Sequence, residues 1–395
     1  MIARFIRPHV ASAVEQFPVV VLTGARQVGK TTLARWILPD ATYVTLDDPA
    51  RAAAARLSPD TFLAGLERPV ILDEVQYAPE LFRHLKMAVD REPRLGSFLV
   101  TGSQTFSLMA GVSESLAGRA AIFSLPALSL REVATGAALA ETDRFLWRGG
   151  FPELWQRPEL DRDLWMGSYV ATYLERDIRQ VLNVGDLRDF DRFLRASALR
   201  AGQLLSYADL ARDVGIAPNT AKRWLSVLEA SQQVFLLEPY HRQRTKRLIK
   251  APKLYFADTG LLCHLLGFRA PADLLAHPMW GAVWENFVIS EVRKRLLDTG
   301  KPPALWSWRT ASGDEVDLLV ETGPERFMAL ECKTAQQVTS DSLKGIRRAA
   351  AEYGSNAIAR ARIVCRTETA YPLDPSVDAR AVSVRDAIDE VADLV

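Results

Sequence analysis

One spacing constrains this chain more than anything else in it. Gly24, Gly29, Lys30 and Thr31 satisfy G-x-x-x-x-G-K-[ST] between an apolar, β-branched run at residues 17–22 (FPVVVL) and a stretch with helical spacing, TTLARWIL. Strand, glycine-rich turn and helix in that order make a loop whose amides, from Gly24 through Ala25, Arg26, Gln27, Val28 and Gly29, curl around phosphate. The start of the helix adds the positive end of its dipole. Lys30 then meets the β and γ phosphates of a nucleoside triphosphate, Thr31 ligates Mg2+, and Thr32 continues the phosphate-facing turn.

A second strand run, PVIL at residues 69–72, ends in Asp73 and Glu74. Carboxylates at the carboxyl end of a strand stand where open α/β sheets bind ligands. Asp73 suits Mg2+, and Glu74 suits a base polarising the attacking water. A third run, residues 97–100, ends in TGSQ, and a fourth, residues 121–125, follows Gly118 and Arg119. This order resembles the AAA-type ATPases. The resemblance implies that Ser103 senses the γ-phosphate and that Arg119 reaches a neighbouring subunit as a finger, which requires a homo-oligomer. No clear second sensor arginine stands in the helical stretch beyond Leu128, where Arg148 is a candidate.

The chain has 395 residues, enough for several domains, with 48% hydrophobic and 25% charged residues, as in folded globular proteins. A formal net charge of +1 excludes binding of a polyanion by bulk charge, so any such site is a local patch. Three distant cysteines without a CxxC pair argue against a disulfide framework and fit a reducing cytoplasm. The amino terminus has no continuous apolar signal core, and no window approaches 18 apolar residues, so no membrane partner is expected.

Residues 129–200 read as a helical lid and connector. Within 201–257, Ser206 caps one short helix, Gly215 makes a turn, and Pro218 opens a second helix carrying Lys222 and Arg223. A β-like run and the basic segment HRQRTKRLIKAPK follow, with Arg242, Arg244, Lys246, Arg247, Lys250 and Lys253 and no acidic residue. This is the pattern of a winged helix. It suits duplex DNA, with the second helix in the major groove and the wing on phosphates, and it also suits a protein-binding module.

In residues 258–395, Asp258 reads as a helix cap, and the informative residues are Glu285 on a helix, Asp317 in a strand, and Glu331 and Lys333 in ALECK. Alternation puts Glu331 and Lys333 on one face. Three carboxylates beside a lysine suit Mg2+ or Mn2+ and phosphodiester cleavage, while E-x-K also forms simple ion pairs. The set resembles the restriction-endonuclease-like fold, which implies a metal site at Glu285, Asp317 and Glu331 with Lys333 catalytic.

Together, LTGARQVGKTTL, VILDEVQ, LVTGSQ, SLAGRA, YLERDI, KLYFADTGL, GAVWENFV and GDEVDLLV with ECK resemble a prokaryotic family that joins an AAA-type ATPase to a carboxyl-terminal domain of unknown function. The expected architecture is an α/β P-loop ATPase core (1–128), a helical lid (129–200), a winged helix (201–257) and a restriction-endonuclease-like α/β unit (258–395). Two functional readings remain. In one, ATP hydrolysis drives DNA translocation, remodelling or processing, with nuclease activity as an option; in the other, ATP controls a DNA- or protein-binding switch without motor or cleavage.

Overall fold

The computed structural model describes residues 2–103, 116–133, 138–174, 187–241, 251–310, 312–354 and 356–394. Five parallel strands open the chain: β1 (Val19–Thr23), β2 (Thr42–Thr45), β3 (Val70–Asp73), β4 (Phe98–Gly102) and β5 (Ala120–Ser124), in the spatial order β2-β3-β4-β1-β5. Strands β1, β3 and β4 are buried along their whole length, because helices cover both faces of the sheet. Alternation divides their side chains between two cores. Val19, Val21, Val70, Leu72 and Phe98 pack with the helices Pro49–Leu57 and Leu81–Arg91, while Val20, Leu22, Ile71 and Leu99 face the other way.

That second core does not stop at the ATPase sheet. One continuous cluster runs from Val20 and Leu33 through Phe145 and Phe151, through Leu210, Trp224 and Phe256, to Phe287 and Ile388. Its axis is the 19-residue helix Trp280–Asp298, which is buried on nearly every side and therefore carries polar residues only where they find partners. Asn286 there closes a two-way pair with the backbone N–H and C=O of Phe256 at 2.8 and 2.9 Å. Glu291 accepts from the Leu130 amide at 2.7 Å, and Lys294 donates to the Leu128 carbonyl at 3.1 Å.

The helix-turn-helix takes the expected form. Ser206 caps the helix Tyr207–Val214 by accepting from the Asp209 amide, Gly215 turns with φ +85°, and the helix Pro218–Ala230 follows. Trp224 packs edge-on against Phe190 and Phe193. Strands β6 (Val234–Leu237) and β7 (Lys253–Phe256) pair antiparallel behind it.

A second sheet of six strands closes the chain, in the order β12-β13-β11-β10-β9-β8. These are β8 (Leu305–Arg309), β9 (Glu315–Gly323), β10 (Arg326–Cys332), β11 (Ile358–Val364), β12 (Tyr371–Asp374) and β13 (Ala379–Val382). One face contributes Leu318, Val320 and Leu330 to the cluster around the long helix; the other packs Leu319, Ala329 and Ile363 against Ile346 and Ala349 of the helix Lys344–Tyr353.

The lid joins the ATPase sheet by backbone contact. Leu128 N–H donates to the Gly150 carbonyl, Gly150 N–H donates to Asp258 Oδ2, both at 2.7 Å, and Asp258 also caps the helix Thr259–Leu265. A Cβ on Gly150 would lie 2.1 Å from the Leu128 carbonyl oxygen, and the obstacle is backbone. Gly150→Ala is therefore expected to cost about 2 kcal/mol or more, the upper range for overpacking, read as a lower midpoint in chemical denaturation; an unchanged midpoint contradicts this seam.

Candidate functional site

The glycine-rich turn leaves β1 and enters the helix Lys30–Ile37 through Gly29, whose φ of +95° is the left-handed conformation that glycine adopts without strain. Gly24 has a different reason: a Cβ there would meet the Leu125 carbonyl oxygen at 2.5 Å. The loop thus lies directly on the backbone that leaves β5. From behind, the buried guanidinium of Arg4 donates to Val28 O at 2.9 Å, to Pro126 O at 2.7 Å and to Glu132 at 3.0 Å, fixing the curl of the turn.

Lys30 is 5% exposed, and its ammonium donates to the carbonyls of Gly24 and Ala25 at 3.1 and 2.9 Å. Thr31 Oγ1 donates to Asp73 Oδ2 at 2.9 Å, so the two magnesium candidates are in contact. Asp73 ends β3 almost fully buried and takes further hydrogen bonds from the Tyr43 hydroxyl at 2.7 Å and from Thr101 Oγ1. Burial, and then the neighbouring Asp73, push the Tyr43 phenol up to about 12, so it stays a donor at any physiological pH. A cavity of about 400 Å³ opens at this group, lined by Gly29, Lys30, Thr31 and Trp36 and by Pro152 and Arg157. Gln27, Val28, Thr32 and Glu74 also line it. The residues fit a magnesium-bound nucleoside triphosphate: a glycine-bounded backbone turn at a helix start, an ammonium beside the loop carbonyls, and a hydroxyl and a carboxylate converging as hard oxygen donors.

Glu74 adopts a left-handed φ of +59°, unusual for a residue with a side chain. Its Oε2 accepts from Gln76 Nε2 and, at 3.3 Å, from the Ser103 hydroxyl; Gln76 Nε2 also reaches Ser103 Oγ at 3.2 Å. Arg26 lies beside this group, donating to Tyr77 OH at 3.3 Å. Arg119, on the loop before the edge strand β5, pairs with Asp90 at 2.5 Å and is not among the residues lining the cavity. Arg148 is buried and donates to the Leu154 and Pro158 carbonyls, a scaffold role; Arg157 is the lid arginine that lines the cavity.

At the other end of the chain, Glu285, Asp317, Glu331 and Lys333 come together as their spacing suggests. Another residue sits among them. Lys253, the first residue of β7, places its ammonium 3.0 Å from Glu285 Oε1 and 3.9 Å from Asp317 Oδ1. Tyr255 OH donates to the same Glu285 oxygen, Asp317 Oδ2 accepts from the Cys332 amide, and Lys333 pairs with Glu331 at 2.7 Å. Among the described residues no group of three or more His, Cys, Asp or Glu is arranged to hold a metal ion. The ammonium of Lys253 lies among the carboxylates of Glu285 and Asp317, and nothing in this arrangement supports the expected metal centre at Glu285, Asp317 and Glu331. Lys253, the last cation of the basic segment, is only 6% exposed.

Of the expected DNA contacts, Lys222 and Arg223 are exposed on the helix Pro218–Ala230. Arg242, Arg244, Lys246, Arg247 and Lys250 lie outside the described residues. No described helix is long and apolar enough to cross a membrane, and the three cysteines are free.

An AAA domain model matches residues 16–134, and two domains of unknown function, DUF8612 and DUF4143, match residues 139–272 and 280–384. The uncharacterized protein Rv2008c of Mycobacterium tuberculosis is 36% identical over 367 residues, 92% of this chain and 80% of that protein, and Mb2031c of Mycobacterium bovis matches equally. The chain is an AAA-type ATPase with a carboxyl-terminal DUF4143 domain. Among solved structures, the Walker-type ATPase PABY2304 of Pyrococcus abyssi is 17% identical with a TM-score of 0.42, covering 66% of this chain and 94% of its own. Thermotoga maritima RuvB is 20% identical with a TM-score of 0.32, covering 62% and 93%.

For this AAA-type ATPase, sequence reading missed Tyr43, Thr101, Arg4 and Lys253. Thr101 is the first residue of TGSQ and Tyr43 lies within β2, beside β3, so strand order points to both; Arg4 and Lys253 carry no local signal. Removing the charge of Lys253 leaves buried carboxylates uncompensated. Lys253→Met is expected to lose about 3–5 kcal/mol of stability at neutral pH, as when one partner of a buried pair is removed. Burial, then Glu285 and Glu331, hold the Asp317 carboxyl well above the usual range, and its partners hold Lys253 above 10.5. The Lys253 contribution is thus complete below 10.5 and is lost as pH rises through its folded value. The deficit of the variant therefore shrinks as pH rises beyond 10.5; a deficit that stays constant there in urea titrations contradicts this.

Proposed function

We propose that this chain hydrolyses ATP with magnesium at the Lys30, Thr31, Asp73 and Glu74 site and couples turnover to DNA held by its winged helix. The single observation that carries the ATPase reading is the contact of Thr31 Oγ1 with Asp73 Oδ2 at 2.9 Å beneath the glycine turn, with Glu74 next in the chain. Thr31 and Asp73 hold Mg2+, which when bound screens charge on the phosphate oxygens. The amides of Gly24 to Thr32 orient the triphosphate. Lys30, turned from the loop carbonyls to the β and γ phosphates, offsets the charge that gathers there. Glu74 takes a proton from water as its oxygen bonds the γ-phosphorus; the bond from that phosphorus to the β,γ-bridging oxygen breaks, and ADP and phosphate leave. Ser103 senses the γ-phosphate through its contact with Glu74.

A finger role for Arg119 at a neighbour's site, with a homo-oligomer as the working form, is supported by its position on the loop before the edge strand β5 and away from the cavity lining. For DNA, the support is the exposed pair Lys222 and Arg223 on the second helix of a helix-turn-helix, with the basic segment 242–250 adjoining in sequence. Coupling is supported by Gln232, in the turn from that helix to β6: its amide bonds Ser124 Oγ at 3.1 Å and Thr23 Oγ1 at 3.4 Å, and Thr23 immediately precedes Gly24. With Lys253 seated among its carboxylates, the carboxyl-terminal cluster favours an ion-paired structural unit over a nuclease. A regulatory switch without movement is the alternative, and a rate of ATP hydrolysis indifferent to duplex DNA at every salt concentration would favour it.

Glu74→Gln is expected to bind ATP normally and to lose about 10²-fold or more in kcat, the range for removing a general base, whereas Lys30→Ala loses binding and turnover. Full turnover by Glu74→Gln sinks the site assignment. Lys222→Ala and Arg223→Ala should each weaken duplex DNA uniformly across sequences and lower the salt slope by roughly 1; unchanged slopes in fluorescence titrations would remove DNA from the account.

A further inference from the structure

Gln76 is a side chain in contact with both Glu74 and Ser103 that the roles above leave unused. It stands in the short 3-10 turn Val75–Tyr77 that follows β3, two residues after Glu74. Its amide nitrogen donates both to Glu74 Oε2 and to Ser103 Oγ. A carboxylate only accepts, so the orientation of the amide is fixed: nitrogen toward Glu74, oxygen away. That oxygen, Gln76 Oε1, is buried and has no hydrogen-bond partner. An orphaned buried acceptor costs free energy, and such atoms in folded proteins call for an explanation. The backbone around it is also constrained, since Glu74 keeps a left-handed φ and its amide donates to Thr101 Oγ1 at 3.3 Å, on β4, the strand that leads to Ser103.

We infer that Gln76 is a catalytic residue of ATP hydrolysis, its amide nitrogen aiming the Glu74 carboxylate and its amide oxygen accepting a hydrogen bond from the attacking water. The inference rests on the ATPase reading and extends it by one residue and one contact. Water has two protons to place: one passes to Glu74 as the new oxygen–phosphorus bond forms, and the other stays on the water oxygen, held by Gln76 Oε1. The amide stays neutral throughout and exchanges no proton, so it orients without competing as a base. Two contacts to one water fix a direction of attack that a single carboxylate leaves free to rotate. The same amide nitrogen touches the γ-phosphate sensor Ser103, so motion of Ser103 toward phosphate is felt at Glu74.

The test uses the full chain with Mg2+ and ATP, comparing wild type, Gln76→Ala, the near-isosteric Gln76→Met, Gln76→Glu and Glu74→Gln. Steady-state and single-turnover hydrolysis, ATP affinity by calorimetry and thermal melting are read for each. Both Gln76→Ala and Gln76→Met are expected to lower kcat and the single-turnover rate about 10- to 100-fold, toward the range for a lost transition-state contact, with KM, affinity and melting within about twofold of wild type. Gln76→Glu, which keeps an acceptor and loses the donor, is expected to fall between. Gln76→Ala and Gln76→Met turning over at the wild-type rate while Glu74→Gln is inactive overturns this inference and leaves the site reading standing. Equal losses of affinity and kcat in both variants reduce Gln76 to packing and overturn it too. An active Glu74→Gln overturns the site reading itself.

Discussion

The Asp73 carboxylate is the point on which this molecule is hung. A buried carboxylate is tolerated only when hydrogen bonds replace its lost hydration, and here three hydroxyls do so: Thr31 from the phosphate loop, Tyr43 from β2 and Thr101 from β4. Each donor arrives from a different segment, so one charged group holds the loop against the ends of three neighbouring strands. The sheet order makes this possible. With β3 between β2 and β4, and β4 beside β1, the carboxyl ends of all four strands open on one side. Glu74, Ser103 and Gln76 inherit their places from that alignment, since they follow the same strand ends.

The remainder of the chain is attached to this centre by backbone and buried polar contacts. Gly24 rests on the Leu125 carbonyl, Leu128 on Gly150, and Gly150 on Asp258, which leads from β7 into the next helix. Gln232 meets the residue just before the loop, and the long helix Trp280–Asp298 bonds to both Leu128 and Phe256. A continuous apolar core fills the space between these contacts. Close-packed interiors transmit displacement, which gives the ATPase reading a physical route to the winged helix.

The sequence made the ATPase core legible because its signals are local: a fixed spacing in one loop, and two carboxylates at one strand end. The helix-turn-helix was legible for the same reason, through Ser206, Gly215 and Pro218. What stayed hidden depended on partners distant in sequence. Arg4 supports Val28 and Glu132, and its own neighbourhood, ARFIRP, reads as an ordinary surface. Lys253 shows the limit most sharply. By composition it ends a basic segment, by fold it begins β7, and only the packing of β7 against the long helix brings it to Glu285 and near Asp317 of β9. Alternation relates Glu331 to Lys333, but it says nothing of Glu285 on the long helix or of which cation lies among the carboxylates.

Titrating ATP into the purified chain by calorimetry, with magnesium and then with chelator, for wild type and Asp73→Asn, addresses the centre most directly. The account predicts that magnesium strengthens ATP binding to the wild type and that Asp73→Asn keeps the metal-independent affinity while losing that gain. Identical magnesium dependence in the two proteins, or no heat of ATP binding to the wild type at all, would contradict it.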